Sequence, residues 1–270
     1  MSTPMAASLV CCELIGTLAA DDGLMERAYA EACATQGIVP GTAAYTRSMV
    51  RVHQARGQPA VEAFRGLFPD APGRAEAAAL SFERSFRSSL ERAGLVPSVG
   101  AEEAIGRIRD AGIRLCVVSC LSRRLLGQAL DALGWWRQVD LALCPEDVQR
   151  GAPWPDLMFA AMLRLGVRDV REAAVAAATE SMTSCGMRSG AGIVAGVLTG
   201  AHTAERLRGA GATYIIGGVS SLPRLLTLGP EEGERAPAPA SRRPDRASEH
   251  GEADRSPKAA RVRGEAAPEP

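Results

Sequence analysis

Apolar positions along this chain switch between two periods. Ser8 to Cys12 is a short, continuously apolar run of the kind that forms a buried strand. From Asp22 to about Ala93 no strand signal appears. Leu24, Ala28, Ala32 and Cys33 share one helical face there, Leu80, Phe82, Phe86 and Leu90 another, and Gly37–Gly41, Gly57–Pro59 and Pro69–Gly73 break the stretch into separate helices. After Pro97 short strands and helices alternate. The pattern predicts a helix over Ala101–Ala111, a strand over Arg114–Ser119, a helix over Arg123–Leu133 and a strand over Val139–Cys144. It continues with a helix over Asp156–Leu165, an alanine-rich strand over Ala173–Ala178 and a short helix over Met182–Ser189. A strand over Ile193–Leu198, a helix over Thr203–Ala210, a strand over Thr213–Ile216 and a helix over Leu222–Leu226 complete it.

Such alternation implies βαβ units, hence an α/β fold: a Rossmann-like parallel sheet with helices on both faces. The stretch without strands is then an insert. Residues 1–20 and 95–228 are expected to form the core and residues 21–94 a helical cap. Open α/β sheets bind ligands at the carboxyl ends of their strands, so the informative residues are Glu13–Thr17, Ser119–Ser122, Ala178–Met182 and Thr199–Thr203.

Composition adds limits. From residue 229 to 270 Pro, Ala, Glu, Arg, Ser and Gly dominate and no aromatic residue occurs, so a disordered tail is expected. Formal charge is balanced, which argues against a nucleic-acid partner. No apolar run approaches the ~18 residues of a membrane span, and no Lys or Arg precedes Leu9 as in a signal peptide, so a cytoplasmic protein without a membrane partner is expected. The seven cysteines include no C-x-x-C pair and several sit in apolar runs, as buried reduced thiols do; a soft-metal site at Cys12, Cys120 and Cys185 lacks ligand spacing. Trp135-Trp136, after a helix stop, reads as packing. Lysine occurs once, at Lys258.

The strand ends carry a resemblance. Leu9-Val10-Cys11-Cys12-Glu13-Leu14-Ile15-Gly16-Thr17 resembles the first motif of the haloacid-dehalogenase-like hydrolases, an apolar strand followed by Asp-x-x-Gly-Thr. Asp21-Asp22-Gly23-Leu24 is similar to the phosphonatase-like branch, which includes phosphoglycolate phosphatases. Val117-Val118-Ser119 resembles the second motif, and Pro153-Trp154-Pro155-Asp156 the segment that follows the third. Gly192, Gly196, Val197, Thr199 and Gly200 resemble the strand after the fourth, and Leu222-Pro223-Arg224-Leu225-Leu226 the usual ending. The resemblance covers roughly residues 8–226.

What it implies for the site is altered chemistry. Glu13 stands where the family has its nucleophilic Asp; the extra methylene displaces the carboxylate, and a shift of ~1 Å can cost ~100-fold in rate. Ile15 holds the position of the general acid/base, Ala152 that of the basic residue, and Ala178 and Met182 those of the fourth-motif acids that help hold Mg²⁺. Gly16, Thr17 and Ser119 persist as substrate-binding positions. Ser119 either donates to a bound oxyanion or satisfies local backbone. The expectation is a scaffold that has lost phosphohydrolase activity, or keeps it very weakly, and works as a binding or regulatory module with no cofactor. Its partner is a small anionic metabolite or a protein. The alternative is an active hydrolase of small phosphorylated metabolites, using Glu13 with Glu180 or Arg150, and only then Mg²⁺. A third reading gives the cap surface or tail an interaction role.

Overall fold

The computed structural model describes residues 7–230 and 233–236. Its six strands lie in the order β3-β2-β1-β4-β5-β6, and every neighbouring pair is parallel. They are β1 (Leu9–Glu13), β2 (Arg114–Val118), β3 (Leu141–Leu143), β4 (Ala173–Ala177), β5 (Ile193–Val197) and β6 (Tyr214–Ile216). The register sets Cys11 between Cys116 and Val175, so β1 is central and all five of its residues are buried.

Alternation along each strand divides the core in two. Val10, Cys12, Val117 and Ala176 face one layer; Leu9, Cys11, Cys116, Val118 and Val175 face the other. The second face is covered by α7 (Asp156–Leu165) and α8 (Glu180–Ser189), through Leu157, Met158, Met182 and Cys185. The first packs α5 (Ala101–Asp110), α6 (Arg123–Leu133) and α10 (Leu222–Leu228). Helix α9 (Ala204–Gly209) packs beside β5 and β6.

The insert consists of α1 (Leu24–Thr35), α2 (Ala43–Gln54), α3 (Ala60–Leu67) and α4 (Pro72–Ala93). The expected breaks at Gly37–Gly41 and Gly57–Pro59 fall between these helices, and the third, Pro69–Gly73, runs into the first turn of α4, where Pro72 and Gly73 are already helical. Tyr29, Phe64, Phe82 and Phe86 form its aromatic centre, with Tyr29 and Phe82 centroids 4.6 Å apart. These residues belong to the same continuous core as the first sheet face. Leu80 departs from expectation: it is 63% exposed, because Phe82, Phe86 and Leu90 follow the four-residue spacing of one face and Leu80 does not. Trp135 is fully buried, and Trp136 lies at the surface with its indole N–H on Asp131.

The described residues belong to one unit by their contacts. The disordered tail expected from residue 229 falls mostly outside the description. Where it is described it differs from expectation: the Ile215 N–H donates to Glu234 O at 2.7 Å and the Ala236 N–H to Thr213 O at 2.9 Å, adding an antiparallel bridge to the β6 edge. Backbone pairing at a free sheet edge needs no apolar side chains, so composition gives no sign of it. Among the described residues no helix is long and apolar enough to cross a membrane.

Candidate functional site

Glu13 ends β1 and is 5% exposed. Its carboxylate reaches across to the loop after β4. Oε2 accepts the Ala178 and Thr179 backbone N–H groups at 2.9 and 3.1 Å, and Oε1 accepts the Thr179 hydroxyl at 2.7 Å. Thr179 is the N-cap of α8, where threonine is favoured because its oxygen takes an otherwise orphaned N–H, here that of Met182. Burial pushes the Glu13 carboxyl up to about 7, outweighing the Thr179 hydroxyl, the Ala178 N–H, the Arg56 charge and the Thr179 N–H.

Arg56 comes from the insert, two residues past α2, and is likewise 5% exposed. Its Nη2 donates to Asp21 Oδ2 at 2.7 Å, while Asp21 Oδ1 accepts the Met25 N–H at the start of α1. Burial works against the Arg56 charge and Asp21 more than offsets it. Next to it, Gly57 lies directly on Thr179: a Cβ there would stand 2.2 Å from Thr179 Oγ1, and its φ is +86°.

This segment closes the strand ends. Glu13, Ser119, Ala152 and Met182 line a cavity of about 10 Å³, and Glu13, Ile15, Arg56 and Thr179 a second of the same size. Each has room for about one water molecule. A larger cavity of about 560 Å³ opens beside them between insert and sheet, lined by Gln58, Pro59, Phe82, Glu83, Glu146 and Trp154 among others. Pro59, Cys120, Pro145 and Ala152 line both this space and the first small cavity, so they form the partition.

Glu13, Ile15, Ser119 and Met182 thus line these cavities from the strand ends, and Ala152, singled out only by the resemblance, joins them from the loop before α7. Ser119 Oγ accepts the Leu121 N–H at 3.2 Å, so it satisfies local backbone. Gly16 accepts the Thr199 hydroxyl on its carbonyl, and Thr17 is fully buried with no partner for its hydroxyl. Neither expected helper faces Glu13. Glu180 is held in two hydrogen bonds by Arg206, at 2.6 and 2.7 Å. Arg150 binds Asp156 at 2.9 Å and lies over the Trp154 ring. The charge that faces Glu13 is that of Arg56, which directly precedes the break expected at Gly57–Pro59 and for which the sequence pattern assigns no role.

The Mg²⁺ that the resemblance implies for such folds does not fit these residues. Both Glu13 oxygens are taken by protein donors, the side chains of Ala178 and Met182 carry no oxygen, and Glu180 is paired elsewhere. Among the described residues no group of three His, Cys, Asp or Glu is placed to hold a metal ion.

Replacing Gly57 by alanine is expected to push this segment off Thr179 and to cost about 1–2 kcal/mol, combining a left-handed backbone with overlap. Cys120 reports the opening: it alone of the seven cysteines is not fully buried, and burial pushes its thiol up to about 12. Thiol labelling at Cys120 is expected to be faster in Gly57→Ala than in the parent, with a lower Tm.

A parallel sheet in this order, a helical insert directly after the first strand and a carboxylate at that strand's end are the architecture of the haloacid-dehalogenase-like hydrolases, and this chain has that fold. Solved structures with it include a hydrolase from Pseudomonas syringae, at TM-score 0.70 and 21% identity over 81% of this chain and 97% of that one. Another is CbbY from Rhodobacter sphaeroides in complex with phosphate, at TM-score 0.66 and 19% identity over 80% and 96%. A curated relative, probable phosphatase IndB of Dickeya dadantii, is 30% identical over 146 residues, 53% of this chain and 62% of that protein. The match thus spans less than two thirds of the relative. No protein-family model matches the chain.

Proposed function

We propose that this chain is a phosphatase-type hydrolase that takes a small phosphorylated metabolite under the insert, with Glu13 meeting the phosphoryl group and Arg56 as its cationic partner. The observation that carries it is a buried carboxylate at the end of β1 faced by a buried guanidinium, in a fold shared with phosphatases. The insert, residues 21–94, acts as a cap in this reading. Entry of a phosphoryl group requires residues 56–59 to withdraw, since about 10 Å³ admits no more than a water. The cavity of about 560 Å³ then receives the rest of the substrate. Glu13 attacks phosphorus, the P–O bond to the substrate breaks, the departing alkoxide takes its proton from solvent water, and a second water cleaves the acyl phosphate to release phosphate and restore Glu13. Ile15 gives no proton to the leaving group, so slow turnover, best on substrates with good leaving groups, is expected.

A second reading is favoured by one specific arrangement. Both Glu13 oxygens are engaged by three protein donors, and Ala152, Ala178 and Met182 supply neither charge nor ligand. In that reading the chain binds an anionic metabolite or a protein without turning it over.

Para-nitrophenyl phosphate and a panel of small phosphomonoesters distinguish the two. Phosphate release above background that falls to background in Glu13→Gln establishes the hydrolase. No release from the parent, together with a Tm raised by one of the same compounds, establishes the binding module.

A further inference from the structure

Strands β1 and β4 run side by side, and just past their last paired residues, Cys12 and Ala176, where the resemblance implies a metal ion, protein donors join the two strand ends. Glu13 leaves β1 and accepts three hydrogen bonds from a single two-residue stretch, Ala178-Thr179. Two come from backbone N–H groups at the opening of the ten-residue helix α8, and the third from its N-cap hydroxyl. All three participants are fully or almost fully buried. The positive end of a helix and oriented N–H groups present partial positive charge to a carboxylate, as a cation does. We infer that Ala178 and Thr179 have taken over the place of a divalent cation, so that the Glu13 carboxylate is held by a protein donor set and Thr179 is the residue that positions it.

Three features of the surroundings agree. The third carbon of the Glu13 side chain is what carries its oxygens over to the β4 loop. The loop side is built from small groups: Ala178 touches Gly16 and Gly200, where a Cβ on Gly200 would fall 2.3 Å from the Ala178 Cβ, so no bulkier ligand-bearing side chain fits at 178 without rearrangement. Gly57 of the insert then seals Thr179 from the outside. The chemical consequence is a β1–β4 junction independent of metal and dependent on the Thr179 hydroxyl. This inference does not rest on turnover, since both an active and an inactive protein leave it standing.

The test uses the full chain, stripped with EDTA and desalted. Free Mn²⁺ is followed by electron paramagnetic resonance during titration, and thermal unfolding is recorded with and without millimolar Mg²⁺. No saturable Mn²⁺ binding and an unmoved Tm are expected. Saturable binding that disappears in Glu13→Gln overturns the inference. Thr179→Val and Thr179→Ser give the second arm. Valine keeps the side-chain volume and loses the hydroxyl; serine does the reverse. If the hydroxyl holds Glu13, Thr179→Val lowers Tm by several degrees and also moves the Glu13 ionisation, read from the pH dependence of unfolding, to higher pH, which loss of the α8 cap alone would not do, and Thr179→Ser stays close to the parent in both. The opposite order makes position 179 a matter of packing and overturns the positioning role.

Discussion

Glu13→Gln is expected to be more stable than the parent at pH 8, by up to about 3 kcal/mol, and equally stable near pH 4. Glu13 is buried, and burial raises its carboxyl from 4.5 to about 7. Below about 4.5 the side chain is protonated whether the chain is folded or unfolded, and nothing is lost. As pH rises past that point the unfolded chain ionises while the folded one resists until about 7. The parent therefore loses stability through this window, at about 1.4 kcal/mol per pH unit, and is level above it. An amide has no such window. Its oxygen accepts the Ala178 and Thr179 N–H groups, and its NH₂ donates to the Thr179 hydroxyl oxygen, so the geometry survives. His202 supplies an internal control. It is buried, its Nδ1 accepts the Glu180 N–H at 2.8 Å, and burial lowers its proton affinity. Stability is accordingly lost in both proteins as pH falls below about 6.5. Urea titrations from pH 4 to 8 measure the difference; parallel pH profiles for parent and variant would falsify the ionisation account.

Gly200→Ala is expected to cost about 3 kcal/mol, near the upper end for overpacking, and to lower Tm by roughly 6–12 °C. The loops after β1, β4 and β5 meet at Gly16, Ala178 and Gly200. A Cβ on Gly200 would lie 2.3 Å from the Ala178 Cβ and 3.2 Å from the Gly16 Cα and O. Backbone on one side and a fully buried strand end on the other leave little room to yield. Gly209→Ala is the comparison: a Cβ there meets nothing within 4 Å, and its effect is expected to stay within about 0.5 kcal/mol. Differential scanning calorimetry of the two variants decides the point. Equal Tm values would mean that the loops part easily and that the strand-end packing is loose.

Much of the scaffold was legible because its signals are local. Strands, helix stops and insert breaks each depend on a few neighbouring residues, and the helix boundaries agree within two residues or so. The strand over Val139–Cys144 shrank to Leu141–Leu143, since an edge strand pairs on one side only and its length is set by the partner β2. The site was half legible. Glu13, Ile15, Ser119 and Met182 converge because strand ends of a parallel sheet must, whereas Ala152 arrives on the loop before α7. Arg56 and Gly57 were missed because they lie in the insert, at a break whose direction depends on how α2 and α3 pack.

The sequence by itself determined the parallel α/β scaffold and the helical insert after β1, and it raised the expectation that Glu13, Ala152, Ala178 and Met182 stand where the resembling family carries its chemistry. Residue identity and periodicity suffice for that. Only the tertiary structure decided what Glu13 does with its extra methylene: it spans from β1 to the Ala178-Thr179 amides and hydroxyl. The structure also decided which cation faces it and that Gly57 closes the site. The physical reason is range. Periodicity reports which face of an element is buried, whereas a hydrogen bond between residues 13 and 179 depends on two chain segments arriving within 3 Å of each other.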